Sequence, residues 1–484
     1  MSPGDDEQTL HRLGYAQELL RRMSGFSNYA LSLSIICILA GGVTSFGQGI
    51  GSVGGAAIGI GWPLVTLFAL AVAATMGQVA SAFPTAGGLY HWAAILGGRG
   101  WGWATAWFNL AGLIAVLAAI DAGAVDFVAA CLGYKMAAAE RFVIIAGVLI
   151  SQAALNHHGI RLVALLIDFS GWWILTAAVG LTVMMFWHAS VLDWSRLITF
   201  TNYSGVPAGA EVWPRSESLV WLFALGFLLP AYTLTGFDAS AHAAEETIGA
   251  AAKVPRAIVR AVAVSGLFGW VMLAAVVLAA PDLDAIAAKG ADAFPAAVQT
   301  VLPAGVATTL FVGIGVAQYL CGLATVTSAS RMMYAFARDG GLPFSNQFRH
   351  VSASRRTPGR AIWAVALTAL ALTALVPYET IAAACAVLLY ISYVLPTWLG
   401  LLAYGRRWTR MGPWQLGRWY RPLALVAVVG CAGLILIGIQ PPNQVAGWIV
   451  FGMTGGLVLG WWAAARRVFP GPPRQLLAEA GNLR

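Results

Sequence analysis

Apolar residues along this chain come in continuous runs of about twenty, rich in Leu, Ala and Gly and separated by short polar stretches. A run of that length spans a bilayer as a helix. Transmembrane barrel strands would instead give weak, alternating segments. The pattern predicts twelve apolar segments: 28–53, 62–83, 102–131, 141–157, 163–187, 218–245, 257–280, 304–336, 360–377, 380–404, 421–440 and 445–465. The predicted fold class is therefore an all-α polytopic membrane protein with 12 transmembrane helices.

Composition supports this. Of the 484 residues, 59% are hydrophobic and only 10% charged, with a mean hydropathy of +0.75. Soluble domains carry roughly 25% charged residues. The net charge of +8 does not indicate nucleic acid, because basic residues of membrane proteins collect in cytoplasmic loops. With the N-terminus inside, all of the 28 Lys and Arg except Lys135, Arg141, Arg196, Arg215 and Lys289 fall on the cytoplasmic side. Residues 1–24 are polar, and no short apolar run with a cleavage site precedes the first segment. A multi-pass protein of the cell (plasma or inner) membrane follows, with both termini cytoplasmic. Cys37, Cys131, Cys321, Cys385 and Cys431 show neither metal-ligand nor disulfide spacing and read as packing residues.

Two segments contain helix breakers. The first carries Gly41-Gly42-Val43-Thr44-Ser45-Phe46-Gly47-Gln48-Gly49. The sixth carries Pro230, Gly236 and a carboxylate, Asp238. Such features at membrane depth are tolerated where they face protein or a water-filled cavity. If segments 1–5 and 6–10 are two repeats, each break opens its own repeat, and the odd number of spans inverts the second. Matching breaks in two halves point to a transporter's binding site. The organisation predicted is a cytoplasmic tail (1–27), a first repeat (28–190), a second repeat (218–405), two peripheral spans (406–467) and a second cytoplasmic tail (468–484).

A helix resuming after a break offers free N–H groups and a positive dipole end to an anion. Thr44, Ser45, Phe46 and Gly47 are the candidates for that end. Tyr232, Thr233, Leu234, Thr235 and Gly236 are the candidates for the cationic end and the pocket. The plain alternative for each glycine is close helix packing. Intramembrane acids are functional candidates by default. Asp238, at the break, is the candidate proton carrier. Asp121 meets either a substrate amine or a bundle partner. Asp126 reads as solvated, and Asp168 as paired with Arg161. Glu245 and Glu246 form a cytoplasmic gate or pair with Lys253 or Arg256. Thr325 and Ser328 share a helix face and form either a Na⁺ site or interhelical contacts. No metal site, no cofactor beyond a coupling H⁺ or Na⁺, and no nucleophile–base pair emerges, so an enzyme is not expected.

Several motifs resemble one family. Ser81-Ala82-Phe83-Pro84-Thr85-Ala86-Gly87-Gly88-Leu89-Tyr90-His91-Trp92 resembles the loop after the second span of amino acid–polyamine–organocation (APC) permeases. Gly236-Phe237-Asp238, Glu245-Glu246 and Val254-Pro255-Arg256-Ala257-Ile258 resemble their sixth span and following loop. The segment Ser330 to Pro343 is similar to the end of their eighth, and Leu13 to Ser27 looks like the amino acid/choline branch, which includes GABA and choline permeases. The resemblance implies a five-plus-five inverted-repeat core with broken helices 1 and 6. It also implies uptake of an amino acid or related amine by alternating access, with the carboxylate at the first break, Tyr232 over the site and Asp238 linked to proton coupling. Residues 164–188 lack the lysine that replaces sodium in several relatives, so coupling stays open between H⁺, Na⁺ and exchange. Gly249-Ala250 replaces the common Asn-Pro.

The expected partners are a small amino acid or amine substrate and the lipid bilayer, with no nucleic acid and no obligate protein partner. Choline or polyamine is the alternative substrate class; choline would need aromatic faces around its cation. A substrate sensor that binds without transporting is the alternative of a different class.

Overall fold

The structure is a computed structural model that describes residues 3–205 and 212–478. Arg484, counted among the basic residues above, lies outside the described residues. Among the described residues the chain is helical, with no β-strand. Among the described residues, ten helices are long and apolar enough to cross a membrane, and Leu219–Thr233 and Gly359–Leu375 are shorter apolar helices. In hydrocarbon a helix satisfies its own backbone groups, which is why uninterrupted apolar runs fold this way.

Burial separates centre from periphery. The window of the first segment is 89% buried, against 22% for the fourth, 28% for Gly417–Gly438 and 17% for Gln444–Val468. The outer helices expose large apolar side chains, among them Trp187, Leu375 and Leu459. Lipid rather than water suits such a surface. Trp101 packs edge-on against Trp398, and Trp103 packs tilted against Trp461, as interfacial aromatics do.

The first and sixth segments run through the middle. Helix Ala250–Ala279 packs on Trp62–Ala82 and on Gly25–Ile36, and Arg99–Leu132 packs on Tyr378–Ala403 and Ala304–Arg338. Pairings recur when the halves are exchanged. The second segment touches the tenth as the seventh touches the fifth. The third touches the tenth as the eighth touches the fifth, and the third touches the ninth as the eighth touches the fourth.

Candidate functional site

The first segment is interrupted earlier than its glycines suggest. Helix Gly25–Ile36 ends at Cys37, residues 38–40 form a turn, and the helix resumes at Gly41–Thr44 before a second turn at Ser45 and helix Phe46–Val53. Among the described residues, the amides of Ile38, Leu39, Gly42 and Val43 donate no hydrogen bond. The break therefore sits at Cys37–Ala40, and the glycine stretch beyond it is largely helical. The glycines serve approach: a Cβ on Gly41 would lie 2.8 Å from Thr233 Cα, and one on Gly47 would meet the Gly290 carbonyl. Gly47 thus faces the turn Gly290–Asp292 and not the break.

The sixth segment breaks where Gly236 sits. Helix Leu228–Thr233 stops, residues 234–238 are non-helical, and Ala239–His242 resumes. Gly236 has φ +86°, and a Cβ there would collide with Ile35. Only glycine adopts that conformation cheaply. Among the described residues, the carbonyls of Thr233, Leu234 and Thr235 accept no hydrogen bond. The hydroxyl of Thr235 turns back to the Tyr232 carbonyl, 2.8 Å away.

The two breaks lie against each other. Gly41 meets Thr233 and Ile35 meets Gly236, while the Ser32 hydroxyl donates to the Phe237 carbonyl at 2.8 Å. Asn28 donates to the Ser240 carbonyl at 2.9 Å. Free amides on one strand and free carbonyls on the other thus share one region, an arrangement suited to a carboxylate and an ammonium. Thr44 and Tyr232 are partly exposed within otherwise buried stretches. Tyr378, on the tenth segment, meets Thr44; a Cβ on Gly123 would lie 3.4 Å from the Tyr378 hydroxyl and from Thr44 Cγ2. Ser45 and Phe46 are buried, and Phe46 packs edge-on against Phe294 of helix Ala293–Val301.

Asp238 is fully buried within a set of donors. Its Oδ1 accepts from the Tyr393 hydroxyl at 2.8 Å, and its Oδ2 accepts from Asn109 at 2.9 Å and lies 3.2 Å from His242 Nε2. The Tyr393 hydroxyl in turn accepts the Gly236 amide at 2.9 Å, tying the carboxylate to the break. Asp121, by contrast, accepts from Gln152 at 2.9 Å, and a Cβ on Gly322 would strike both. Gly123, two residues on, is what the third segment presents to Thr44. Thr325 bonds back to the Cys321 carbonyl at 2.9 Å, while the buried Ser328 hydroxyl has no partner among the described residues.

Glu245 and Glu246 pair, but not with Lys253 or Arg256. Both nitrogens of the Arg338 fork donate to Glu245 at 2.8 and 2.9 Å, and Arg331 donates to Glu246 at 2.7 Å. The basic partners come from the end of the eighth segment, about ninety residues away in sequence, which local spacing does not reveal. Arg338 stacks 3.8 Å over the Tyr15 ring, and the Arg22 and Met23 amides bond to the Glu246 carbonyl, so the N-terminal stretch covers both pairs. Below them, Asp339 accepts from Tyr15 at 2.8 Å and Tyr90 at 2.9 Å and lies 3.0 Å from His91. Burial pushes the Asp339 carboxyl up, but His91, Arg338 and Tyr15 outweigh it and hold it below the ordinary carboxylate range. Its contribution to this closure is present above about pH 4 and is lost as pH falls below that. Asp126 pairs with Arg141 at 2.6 Å rather than being merely solvated. No ion pair joins Asp168 to Arg161 among the described residues, and Asp168 Oδ1 has no hydrogen-bond partner among them.

His242, Asn109, Tyr393 and Tyr378 were not candidates from sequence. Only His242 carried a local signal, its four-residue spacing from Asp238.

A helical membrane protein with two opposed, broken central segments has an architecture suited to a membrane transporter. The amino acid permease family model matches residues 23–463. An amino-acid permease, BAT1, of Arabidopsis thaliana is 31% identical over 97% of this chain and 96% of its own, and its homologue in Oryza sativa subsp. japonica is 32% identical over 96% and 94%. A GABA-specific permease of Saccharomyces cerevisiae is 27% identical over 94% of this chain and 82% of its own. The chain belongs to the amino acid permease family of the APC superfamily and is a multi-pass membrane transporter.

Proposed function

We propose that this protein imports an amino acid or amino-acid-like amine across the cytoplasmic membrane by alternating access, coupled to protons through Asp238 or operating as an exchanger. The observation that carries the reading is the crossing of the two breaks at Gly41–Thr233 and Ile35–Gly236, with free amides on one side and free carbonyls on the other. A zwitterion would place its carboxylate at Ile38–Val43 and its ammonium at Thr233–Thr235, beneath Tyr232. The exchange-related helix pairings support two inverted five-span repeats within a twelve-span chain, and the loop charges support cytoplasmic termini. Thr325 and Ser328 are the residues for a Na⁺ ion if sodium couples instead.

Thermal unfolding of purified protein against L-amino acids, GABA, choline, ethanolamine and polyamines, with and without Na⁺, tests the substrate class. A ligand at about 100 times its dissociation constant adds roughly 2.7 kcal/mol. Shifts confined to carboxylate-bearing compounds are expected; shifts for choline or polyamines alone would overturn the anion end. Flux into proteoliposomes separates a transporter from a sensor. Tyr232→Ala removes the partly exposed ring over the sixth break and is expected to weaken substrate binding at least tenfold, about 1.4 kcal/mol. An unchanged dissociation constant in the same thermal assay would place the substrate elsewhere.

A further inference from the structure

Resting on that reading, we propose that the coupling proton is held by an acid–base couple, Asp238 with His242, and that its release from His242 loosens the cytoplasmic gate. The argument is proton bookkeeping. His242 Nδ1 lies 3.1 Å from the Ala86 carbonyl, which can only accept, so Nδ1 carries a hydrogen. The Asn109 amide nitrogen can only donate, and it points at Asp238 Oδ2. The Tyr393 hydroxyl accepts the Gly236 amide and spends its one hydrogen on Asp238 Oδ1. One contact remains, Asp238 Oδ2 to His242 Nε2 at 3.2 Å. It is a hydrogen bond only if Nε2 also carries a hydrogen, making an imidazolium against a carboxylate, or if Asp238 is protonated and donates to Nε2. Either way the couple holds one proton more than a carboxylate with a neutral ring.

Both side chains are fully buried. With the extra proton the couple is neutral overall. Without it, a net negative charge stays inside the protein next to the sixth-segment break, which is costly in low dielectric. Protonation of the couple and the state of the break are therefore linked.

Ala86 extends this link to the gate. Its carbonyl takes the His242 hydrogen, and its own amide donates to Glu245 Oε1 at 3.0 Å. Glu245 in turn holds Arg338. When the Nδ1–H bond breaks and its proton passes to water on the cytoplasmic side, the ring keeps its Nε2 hydrogen, now donated to the Asp238 carboxylate. The Ala86 carbonyl then loses its donor, one of the two bonds that tie this loop to the sixth segment, and the Ala86 amide is left holding Glu245 alone. The other titratable or charged groups around the couple are Tyr393 on the tenth segment, Glu245 with Arg338 beyond Ala86, and His91 with Asp339 on the far side of the same loop. Among the described residues, the first segment meets this region through the uncharged side chains Asn28 and Ser32.

Nitrogen-15 spectra of histidine-labelled, full-length protein in nanodiscs test the couple without any ligand. The His242 signal is identified by its loss in His242→Gln. At pH 7 a protonated Nδ1 is expected, with the second proton on Nε2 or on Asp238. A neutral ring bearing its hydrogen on Nε2, with Nδ1 bare, would overturn the proposal. In proteoliposomes offered labelled GABA, L-alanine and putrescine, His242→Gln is expected to lose pH-gradient-driven accumulation while keeping counterflow. A variant with the wild-type pH profile would likewise overturn it. If wild-type protein carries none of the three compounds, the transport reading fails on these probes, and the spectra still decide the couple.

Discussion

Gly236→Val is expected to abolish substrate binding and transport. Gly236 sits at φ +86° in the middle of the sixth-segment break. A β-branched residue there is a genuine outlier, and holding a residue in such a region costs on the order of 1–3 kcal/mol. Space makes matters worse. The new Cβ would occupy the position of the Ile35 side chain, and overpacking a tight contact adds about 1–3 kcal/mol. The chain can relieve both only by moving the break. That movement pulls the Gly236 amide from the Tyr393 hydroxyl and disturbs the Tyr393 bond to Asp238. The carbonyls of Thr233 to Thr235 would no longer face the amides of the first segment. Gly236→Ala carries the conformational cost and the Cβ but not the γ-methyls, so it should fall between. Thermal unfolding with and without ligand measures both effects; a valine variant that keeps the full ligand-induced shift would remove the sixth break from the binding site.

Much of this architecture is legible in the pattern of residues. Continuous apolar runs locate the helices because a helix is what a bilayer permits, and Pro230, Gly236 and Asp238 locate the sixth break because each is costly in an ordinary span. The first break was harder to read. Glycines are tolerated in membrane helices for close packing, and Gly41 and Gly47 are used that way, against Thr233 and Gly290. The unwound residues Cys37 to Ala40 look like ordinary helix formers. Nothing local marks them, because the partners that take up the freed carbonyls come from the eighth segment: Cys321 reaches the Ile35 carbonyl at 3.4 Å and Gln318 the Leu39 carbonyl at 3.1 Å. The same limit applies to the surroundings of Asp238. Asn109 and Tyr393 lie 129 and 155 residues away, and side chains brought together by tertiary packing have no spacing to read.

Arg338→Ala is expected to open the cytoplasmic side. Arg338 grips Glu245 through both of its terminal nitrogens, and the Glu245 side chain is 0% exposed. Removing the arginine leaves a buried carboxylate held, among the described residues, by the Ala86 amide alone, at 3.0 Å. Breaking a buried pair from one side costs about 3–5 kcal/mol. The loss is not shared evenly between conformations. A state in which Glu245 meets water escapes the penalty, so the equilibrium moves toward it. The Tyr15 ring loses the guanidinium stacked 3.8 Å above it, which also weakens the cover formed by the N-terminal stretch. Cys321, buried beside the first break, reports the change. With the other four cysteines replaced, a water-soluble maleimide applied from the cytoplasmic side should label Cys321 faster in Arg338→Ala than in the parent. Transport should fall, because the proposed alternating-access cycle requires this side to close. The double variant Glu245→Gln/Arg338→Ala removes the stranded charge and should recover much of the stability lost by Arg338→Ala alone, as coupled neighbours do. Equal labelling rates in parent and single variant would mean that the Glu245–Arg338 pair is not what keeps the cytoplasmic side shut, and closure would then rest on Glu246–Arg331 and the His91–Asp339 cluster.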